Sequence, residues 1–93
     1  MISIIMPAYN AARYIEEAIT SVLNQTYQNW ELIIIDDYST DETAQLIQAF
    51  CKKDSRIHYI INKINLGVAK SRNKGISIAA GEWVAFLDSD DCW

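Results

Sequence analysis

Four short apolar runs alternate along the chain with three segments in which apolar residues recur at helical spacing. The runs cover residues 2–6, 30–35, 57–61 and 83–87. The second is almost continuously apolar, which is typical of a strand in a parallel sheet that is covered on both faces. Pro7 follows the first run and predicts the end of that strand, because proline has no N–H to donate to a neighbouring strand.

Three helices are predicted between these runs. The first has one apolar face, formed by Ile15, Ala18, Ile19, Val22 and Leu23. The tetrapeptide Ser39-Thr40-Asp41-Glu42 fits a capping box. It precedes a second helix whose apolar face is formed by Ala44, Ile47, Phe50 and Cys51. The third helix is predicted over residues 68–80, with Gly81 placed to end it.

The resulting order, βαβαβαβ, predicts parallel strands joined through right-handed helical crossovers. The expected fold class is therefore α/β, a doubly wound, Rossmann-like parallel sheet with helices on both faces. A chain of 93 residues accommodates one such domain with a modest core. In sheets of this kind, ligands bind at the carboxyl ends of the strands.

Acidic residues follow two of the predicted strands. Asp36 and Asp37 come after the second run, whereas Asp88, Asp90 and Asp91 come after the fourth. Clustered carboxylates repel each other unless a cation or hydrogen-bond donors compensate them. Oxygen ligands suit Mg²⁺ or Mn²⁺, which usually share them with substrate phosphates. The alternative interpretation is that these acids are solvated turn residues with helix-capping roles.

Other residues near this edge suit a nucleotide. Asp36 or Asp37 can accept a hydrogen bond from N3–H of uracil, and Tyr9 offers a ring for stacking on a base, although it can also be a packing aromatic. Arg72 can reach a phosphate, and the N-terminus of the third helix adds donors near Gly67.

The remaining basic side chains and the histidine contribute less to this picture. Lys70 and Arg72 are each open to either a phosphate-binding or a solvated role, whereas Lys74 is interpreted as part of a solvated face. His58, the only histidine, is not expected to be a base or a metal ligand.

Composition excludes several classes of function. The net charge of −4 disfavours a nucleic-acid partner, because such proteins neutralise phosphates with basic residues. Two cysteines are too few for a disulfide framework, and their spacing does not suit a metal site. The apolar start is too short for a membrane span and lacks the basic region of a signal peptide, so a cytoplasmic location is expected. Neither a dinucleotide-binding nor a P-loop motif occurs.

With these residues in view, the sequence resembles the start of a family 2 glycosyltransferase with a GT-A fold. The stretches that carry the resemblance run in family order over residues 3–10, 21–27, 31–41, 65–75 and 81–91. One departure is Tyr38, where the family more often has glycine.

The resemblance implies transfer of a sugar from a nucleoside diphosphate donor, with inversion and with Mn²⁺ or Mg²⁺. It implies that Asp37 accepts from the base with Asp36 beside it, and that Arg72 contacts the diphosphate or base. The residues implied to line the base pocket are Pro7, Ala8 and Tyr9.

The resemblance assigns the second acidic cluster to the metal. Asp88, Asp90 and Asp91 match the family's Asp-x-Asp-Asp motif. Asp90 is implied to face the ribose or the metal, and Asp91 to reach the metal and the diphosphate.

Family members are longer than this chain, so residues 1–93 are expected to form the donor half of a GT-A domain. The acceptor half and the catalytic base are expected beyond Trp93, which predicts an inactive fragment. The fourth strand is expected to leave an open edge that favours a homo-oligomer. The roles of members of this family suggest a function in bacterial cell-surface polysaccharide synthesis, with an unknown glycan or lipid-linked acceptor.

Two alternatives remain open. A receiver-type phosphoacceptor domain is also a small doubly wound unit, but its acids follow the first and third strands, not the second and fourth. A non-catalytic nucleotide-binding module is the other alternative.

Overall fold

The structure is a computed structural model that describes residues 1–88 of the 93-residue chain. Strands and helices alternate as the apolar pattern predicts, which confirms the α/β class. The elements are β1 (Ile2–Ala8), α1 (Ile15–Asn24), β2 (Trp30–Asp36), α2 (Thr43–Lys53), β3 (Ile57–Ile61), α3 (Val68–Ile78) and β4 (Trp83–Phe86).

All strand pairs are parallel, and the strand order is β3-β2-β1-β4. From β1 the chain steps outwards to β2 and then to β3. The α3 crossover then returns the chain past β2 and β1, so that β4 lies on the other side of β1. This reversal creates a topological switch point between β1 and β4, where open α/β sheets form a crevice at the strand ends.

The core has two parts, one on each face of the sheet. The larger part joins α1 and α2 to the sheet and includes Ile4, Met6, Ile15, Ile19, Leu32, Ile34 and Ile47. The smaller part lies on the α3 face and contains Ile5, Ile33 and Ile35. Because successive strand residues point to opposite faces, β2 must be apolar on both, and all seven of its residues are buried.

Strand β1 does not end at Pro7, contrary to the sequence prediction. It runs through Pro7 to Ala8, which pairs with Asp36 of β2. In the ladder, the Ile5 carbonyl accepts from Leu87 on the β4 side, and the Ala8 carbonyl accepts from Asp37 on the β2 side. By alternation, the nitrogen of Pro7 faces the β4 side. The β1–β4 pairing stops at Ile5, so proline removes no ladder hydrogen bond there.

Two predicted helix signals are also corrected. The α2 capping box is wrong, because the N-cap residue Glu42 makes no side-chain capping bond and Asp41 instead accepts from the Thr43 N–H at 3.0 Å. Helix α3 ends at Ile78, two residues before the predicted end at 80. Gly81 is not a left-handed cap, since Gly67 is the glycine with positive φ within residues 1–88.

Strand β4 is the least covered part of the sheet. Trp83 is 71% exposed, and Val84 and Phe86 are also exposed. Leu87, just after the strand, is buried in the core on the α1 and α2 face. No helix within residues 1–88 is both long and apolar enough to cross a membrane.

Candidate functional site

An open cleft of about 320 Å³ lies at the switch point, at the carboxyl ends of β1 and β4. Its walls are formed by the end of β1 and the β1–α1 loop, by the residue that follows β2, by the first turn of α3, and by Asp88 after β4. The lining residues are Pro7, Ala8, Tyr9, Asn10, Ala11, Tyr14, Asp37, Val68, Ser71 and Asp88.

The loop after β1 presents Tyr9 to this cleft. The Tyr9 side chain is 52% exposed, whereas Ala8 before it is buried. The next residue, Asn10, has φ of 46°, a left-handed conformation that asparagine tolerates better than most residues. Its side-chain oxygen accepts from the Thr40 N–H at 2.7 Å, and its own N–H donates to Ser39 Oγ at 2.9 Å. The β1–α1 loop is therefore fixed to the β2–α2 loop.

Asp37 lies in the floor of the cleft and is 4% exposed. Its Oδ1 accepts from the Leu66 N–H at 2.7 Å and from Asn62 Nδ2 at 2.8 Å. Its Oδ2 accepts from the Gly67 N–H at 2.8 Å. Burial alone would raise the pKa of this carboxyl, but the three donors outweigh it and hold the pKa of Asp37 below its usual value.

These contacts change the expected use of the α3 N-terminus. The sequence suggested that N–H groups near Gly67 face a phosphate, but the Leu66 and Gly67 N–H groups donate to the Asp37 carboxylate. Gly67 has φ of 89°, a conformation that glycine adopts without a Cβ penalty. A carboxylate at a helix N-terminus is stabilised by the helix dipole, so Asp37, directly after β2, anchors the start of α3.

Asn62 and Ser71 are functional candidates that the sequence reasoning missed. Asn62 is buried just after β3; its Nδ2 donates to Asp37 and, at 3.1 Å, to Ser71 Oγ. Lys74 Nζ donates to Asn62 Oδ1 at 2.8 Å, so Lys74 is not simply a solvated residue. The available signal was position, because Asn62 directly follows an apolar run, as Asp36 does.

Asp36 does not line the cleft, although it was assigned to substrate binding. It is fully buried, its Oδ1 accepts from the Ser39 N–H at 3.0 Å, and its Oδ2 accepts from the Tyr59 hydroxyl at 3.0 Å. Burial, followed by the charge and hydrogen bond of Asp36, raises the pKa of Tyr59 to about 12. These contacts are structural: Asp36 ties the end of β2 to β3 and to the following turn.

Tyr38 has φ of 64°, which is a left-handed conformation. A residue with a Cβ is strained in this conformation by roughly 1–2 kcal/mol, so glycine would fit this turn without that cost.

Asp88 and Arg72 contact each other at the rim of the cleft. Arg72 donates from one terminal nitrogen to Asp88 Oδ1 at 2.8 Å, and its guanidinium lies 5.6 Å from the ring centre of Phe86. Arg72 does not itself line the cleft, whereas Asp88 does. The assigned ligands Asp90 and Asp91 lie outside the described residues.

Asp88 fits the hard oxygen donor set that Mg²⁺ and Mn²⁺ prefer, and its half-exposed side chain borders the cleft. Within residues 1–88, no three His, Cys, Asp or Glu side chains are grouped closely enough to hold a metal ion.

His58 is far from this chemistry. It pairs with Ile33 in the β2–β3 ladder, and its Nε2 lies 3.5 Å from Glu31 Oε1 near the opposite end of the sheet. Lys70 is exposed on α3.

The fold and the cleft define a Rossmann-like α/β domain with a polar crevice at its switch point. The family model described as Glycosyl transferase family 2 matches residues 3–93, and the chain belongs to this family.

A curated relative is the putative teichuronic acid biosynthesis glycosyltransferase TuaG of Bacillus subtilis (strain 168). It is 50% identical over 93 residues, which is 100% of this chain and 37% of the relative. The chain thus spans just over a third of the relative's length.

Solved structures confirm the GT-A fold. TarS 1-349 of S. aureus in complex with UDP-GlcNAc has a TM-score of 0.91 and 35% identity, covering 98% of this chain and 27% of TarS. The mannosyltransferase PcManGT from Pyrobaculum calidifontis, in complex with GDP-Man and Mn²⁺, has a TM-score of 0.92 and 27% identity. That match covers 99% of this chain and 28% of the mannosyltransferase.

Proposed function

We propose that this chain forms the donor-binding half of a metal-dependent glycosyltransferase that uses a nucleoside diphosphate sugar, with UDP as the preferred nucleotide. The observation that carries the proposal is the switch-point cleft, where Tyr9, Asp37 and Asp88 border one space at three strand ends. The UDP-GlcNAc complex of TarS supports a uridine nucleotide.

The base has a defined place in this proposal. The Tyr9 ring stacks on it, with Pro7 and Ala8 forming the adjoining wall. Asp37 Oδ2 accepts one hydrogen bond, from Gly67, and a carboxylate oxygen can accept a second. That second position suits the N3–H of uracil. Because three donors hold the carboxylate ionised and in place, it is preorganised as an acceptor.

Asp88, Asp90 and Asp91 are the residues that would hold a divalent cation, and the Mn²⁺ of the mannosyltransferase complex supports this. When bound, the cation acts as a Lewis acid and neutralises charge on the leaving diphosphate. Arg72 orients Asp88 through their ion pair and supplies positive charge beside the diphosphate.

For the whole protein, we propose inverting transfer in the synthesis of a bacterial cell-surface polysaccharide, supported by the similarity to TuaG. The chain covers 37% of that relative, so the acceptor site and the catalytic base are assigned to sequence beyond the donor half. A general base must reach the acceptor hydroxyl. The 93-residue chain is therefore expected to bind the donor without transferring the sugar.

Calorimetric titration of UDP with and without Mn²⁺ tests the site. We expect binding that requires Mn²⁺ and weakens on the order of tenfold or more in Asp37→Ala and Asp91→Ala, because a hydrogen bond to a charged group or a metal ligand is lost. Glu16→Gln, on the exposed side of α1, is the matched control and should leave affinity unchanged.

Metal-independent UDP binding that survives both variants contradicts the proposal. Phosphorylation of the chain by acetyl phosphate would instead favour the receiver-type alternative. Circular dichroism of each variant separates a lost contact from a lost fold.

We also propose that the open edge of β4 joins two copies of this chain. Trp83, Val84 and Phe86 leave apolar surface exposed on a strand that, among the residues 1–88 that the structure describes, pairs with β1 alone, and such edges associate with other strands. Light scattering over a concentration series should show a dimer or larger species, and Val84→Lys should shift it towards monomer. A monomeric mass at the highest concentration contradicts this assignment.

A further inference from the structure

A buried carboxylate lies at the end of the sheet opposite the cleft. Glu31 of β2 is 8% exposed, and its Oε2 accepts from the Ser3 hydroxyl at 2.5 Å and from the Ala80 N–H at 2.7 Å. Ser3 Oγ in turn accepts from the Gly81 N–H at 2.8 Å. We call Ser3, Glu31, Ala80 and Gly81 the crossover clamp, because they join the two central strands to the turn that ends the α3 crossover.

The crossover clamp holds that turn directly against β1. Ser3 lies opposite Glu31 on one side and opposite Val84 of β4 on the other. A Cβ added to Gly81 would lie 2.6 Å from Ser3 Oγ and 2.7 Å from the Met1 carbonyl oxygen, so a larger residue does not fit at this approach. The position where β4 begins is therefore fixed by polar contacts at its amino end.

Apart from the Glu82 N–H, which donates to the Met1 carbonyl at 3.1 Å, strand β4 has few other contacts that could set its register. It is four residues long, and its partner within residues 1–88 is β1 alone. Most of its side chains are exposed, so a displaced register would cost little apolar burial. Leu87 is the exception, since it is buried and its N–H donates to the Ile5 carbonyl at 3.0 Å.

Register matters because Asp88 follows at the carboxyl end. A one-residue slip moves a strand by about 3.3 Å and turns each side chain to the other face. Such a slip would break the 2.8 Å contact between Arg72 and Asp88 and remove Asp88 from the cleft wall.

We infer that Glu31 is a positioning residue that acts through the crossover clamp, setting the register of β4 on β1 and thereby the location of the acidic strand end in the cleft. The effect on register stands on the contacts of the clamp alone. Its consequence for ligand binding rests on the proposed function.

Hydrogen exchange of wild type and variants tests the register. Glu31→Ala and Ser3→Ala should speed exchange of the Trp83 and Leu87 amides, which donate to carbonyls of β1 or of the residue just before it, relative to those of β2, on the order of tenfold or more. Glu31→Gln retains one oxygen that can accept from both Ser3 and Ala80, so it should restore most of the protection. Glu82→Gln, an exposed substitution in the same turn, is the matched control and should have no effect.

Ser3→Ala keeps the test decisive if Glu31→Ala fails to fold, because it removes the two hydrogen bonds of the Ser3 hydroxyl and leaves Glu31 bonded to Ala80. Equal acceleration in β2 and β4 would overturn the inference, since it indicates a general loss of stability. Unchanged β4 exchange in Glu31→Ala or Ser3→Ala, or no rescue by Glu31→Gln, would overturn it as well.

Titration of UDP with Mn²⁺ separates this inference from the proposed function. If wild type binds UDP, Ser3→Ala should weaken the affinity and Glu31→Gln should keep most of it. A wild type that does not bind UDP refutes the proposed function, whereas the exchange experiment still decides the role of Glu31. Faster β4 exchange with unchanged UDP affinity would overturn the consequence for the cleft.

Discussion

Asp37 shows how one side chain can serve both the fold and a candidate site. Its carboxylate lies directly after β2, anchors the start of α3 through Leu66 and Gly67, and borders the cleft. Three donors already fix the Asp37 side chain, so it loses little conformational entropy when a ligand binds.

Asp37→Asn tests the structural half of this role. The side-chain NH₂ of asparagine cannot accept a hydrogen bond, so at least one of the three groups that donate to Asp37 loses its partner. We expect the free energy of unfolding in urea to fall by about 1–3 kcal/mol. Exchange of the amides in the first turn of α3 should accelerate more than that of β3. Unchanged stability, or a loss no larger than in the exposed control Glu16→Gln, contradicts the assigned role.

At the scale of elements, helix α3 packs closely on β1 at Gly75. A Cβ at this position would lie 2.5 Å from Cγ2 and 3.1 Å from Cδ1 of Ile5, so α3 rests almost directly on β1. Ser71, one turn earlier, is also buried. Small residues on this face let the helix approach the strand that leads into the cleft.

Gly75→Ala should therefore lower the free energy of unfolding by about 1–3 kcal/mol, because neither the strand nor the branched carbon of Ile5 can yield easily. Removing the Ile5 side chain tests whether its clash with a Cβ at position 75 causes the loss. In a double-mutant cycle with Ile5→Ala, the double variant should lose less unfolding free energy than the sum of the two single losses. The reason is that Ile5→Ala creates the space that the alanine at position 75 requires. Full additivity in urea denaturation would show that the contact is not responsible.

The sequence predicted most elements because continuous apolar runs in strands and single apolar faces on helices are visible in the order of residues. The apolar runs of β2 and β3 matched the observed strands to within one residue. The errors came from tertiary context. Pro7 is tolerated in β1 because its nitrogen points towards β4, whose pairing with β1 stops at Ile5. Position 81 requires glycine because Ser3 leaves no room for a Cβ there. Neither neighbour can be identified from local sequence.

In the candidate site too, some residues could be predicted from the sequence, whereas others could be identified only from their tertiary contacts. Tyr9, Asp37 and Asp88 follow strand ends and were predictable by position. Asp36 shares that position, but strand alternation turns it towards Tyr59. Asn62 was missed because a single amide after a strand carries no distinctive chemistry until Asp37 and Ser71 are seen beside it.

At the scale of the whole molecule, hydrogen bonds formed in the fold hold four carboxylates in the ionised form. Glu31, Asp37, Asp41 and Asp54 each have a pKa below the usual value. For the first three, burial alone would raise the pKa, but neighbouring donors outweigh it; for Asp54, the hydrogen bond from Arg56 is the largest cause. Folding therefore favours the ionised form at four separate places.

This linkage predicts acid sensitivity. The unfolded chain, with usual values of 4.5 for glutamate and 3.8 for aspartate, binds more protons than the folded chain in this range. The stabilisation is present above those values and is lost as the pH falls through the lower folded values. We expect the urea midpoint to stay nearly level from about pH 7 to 5 and to fall steadily below about 4.5. Asp54→Asn should make that fall shallower, whereas Glu16→Gln should not; a midpoint that is constant or rises down to pH 3 would contradict the four lowered pKa values.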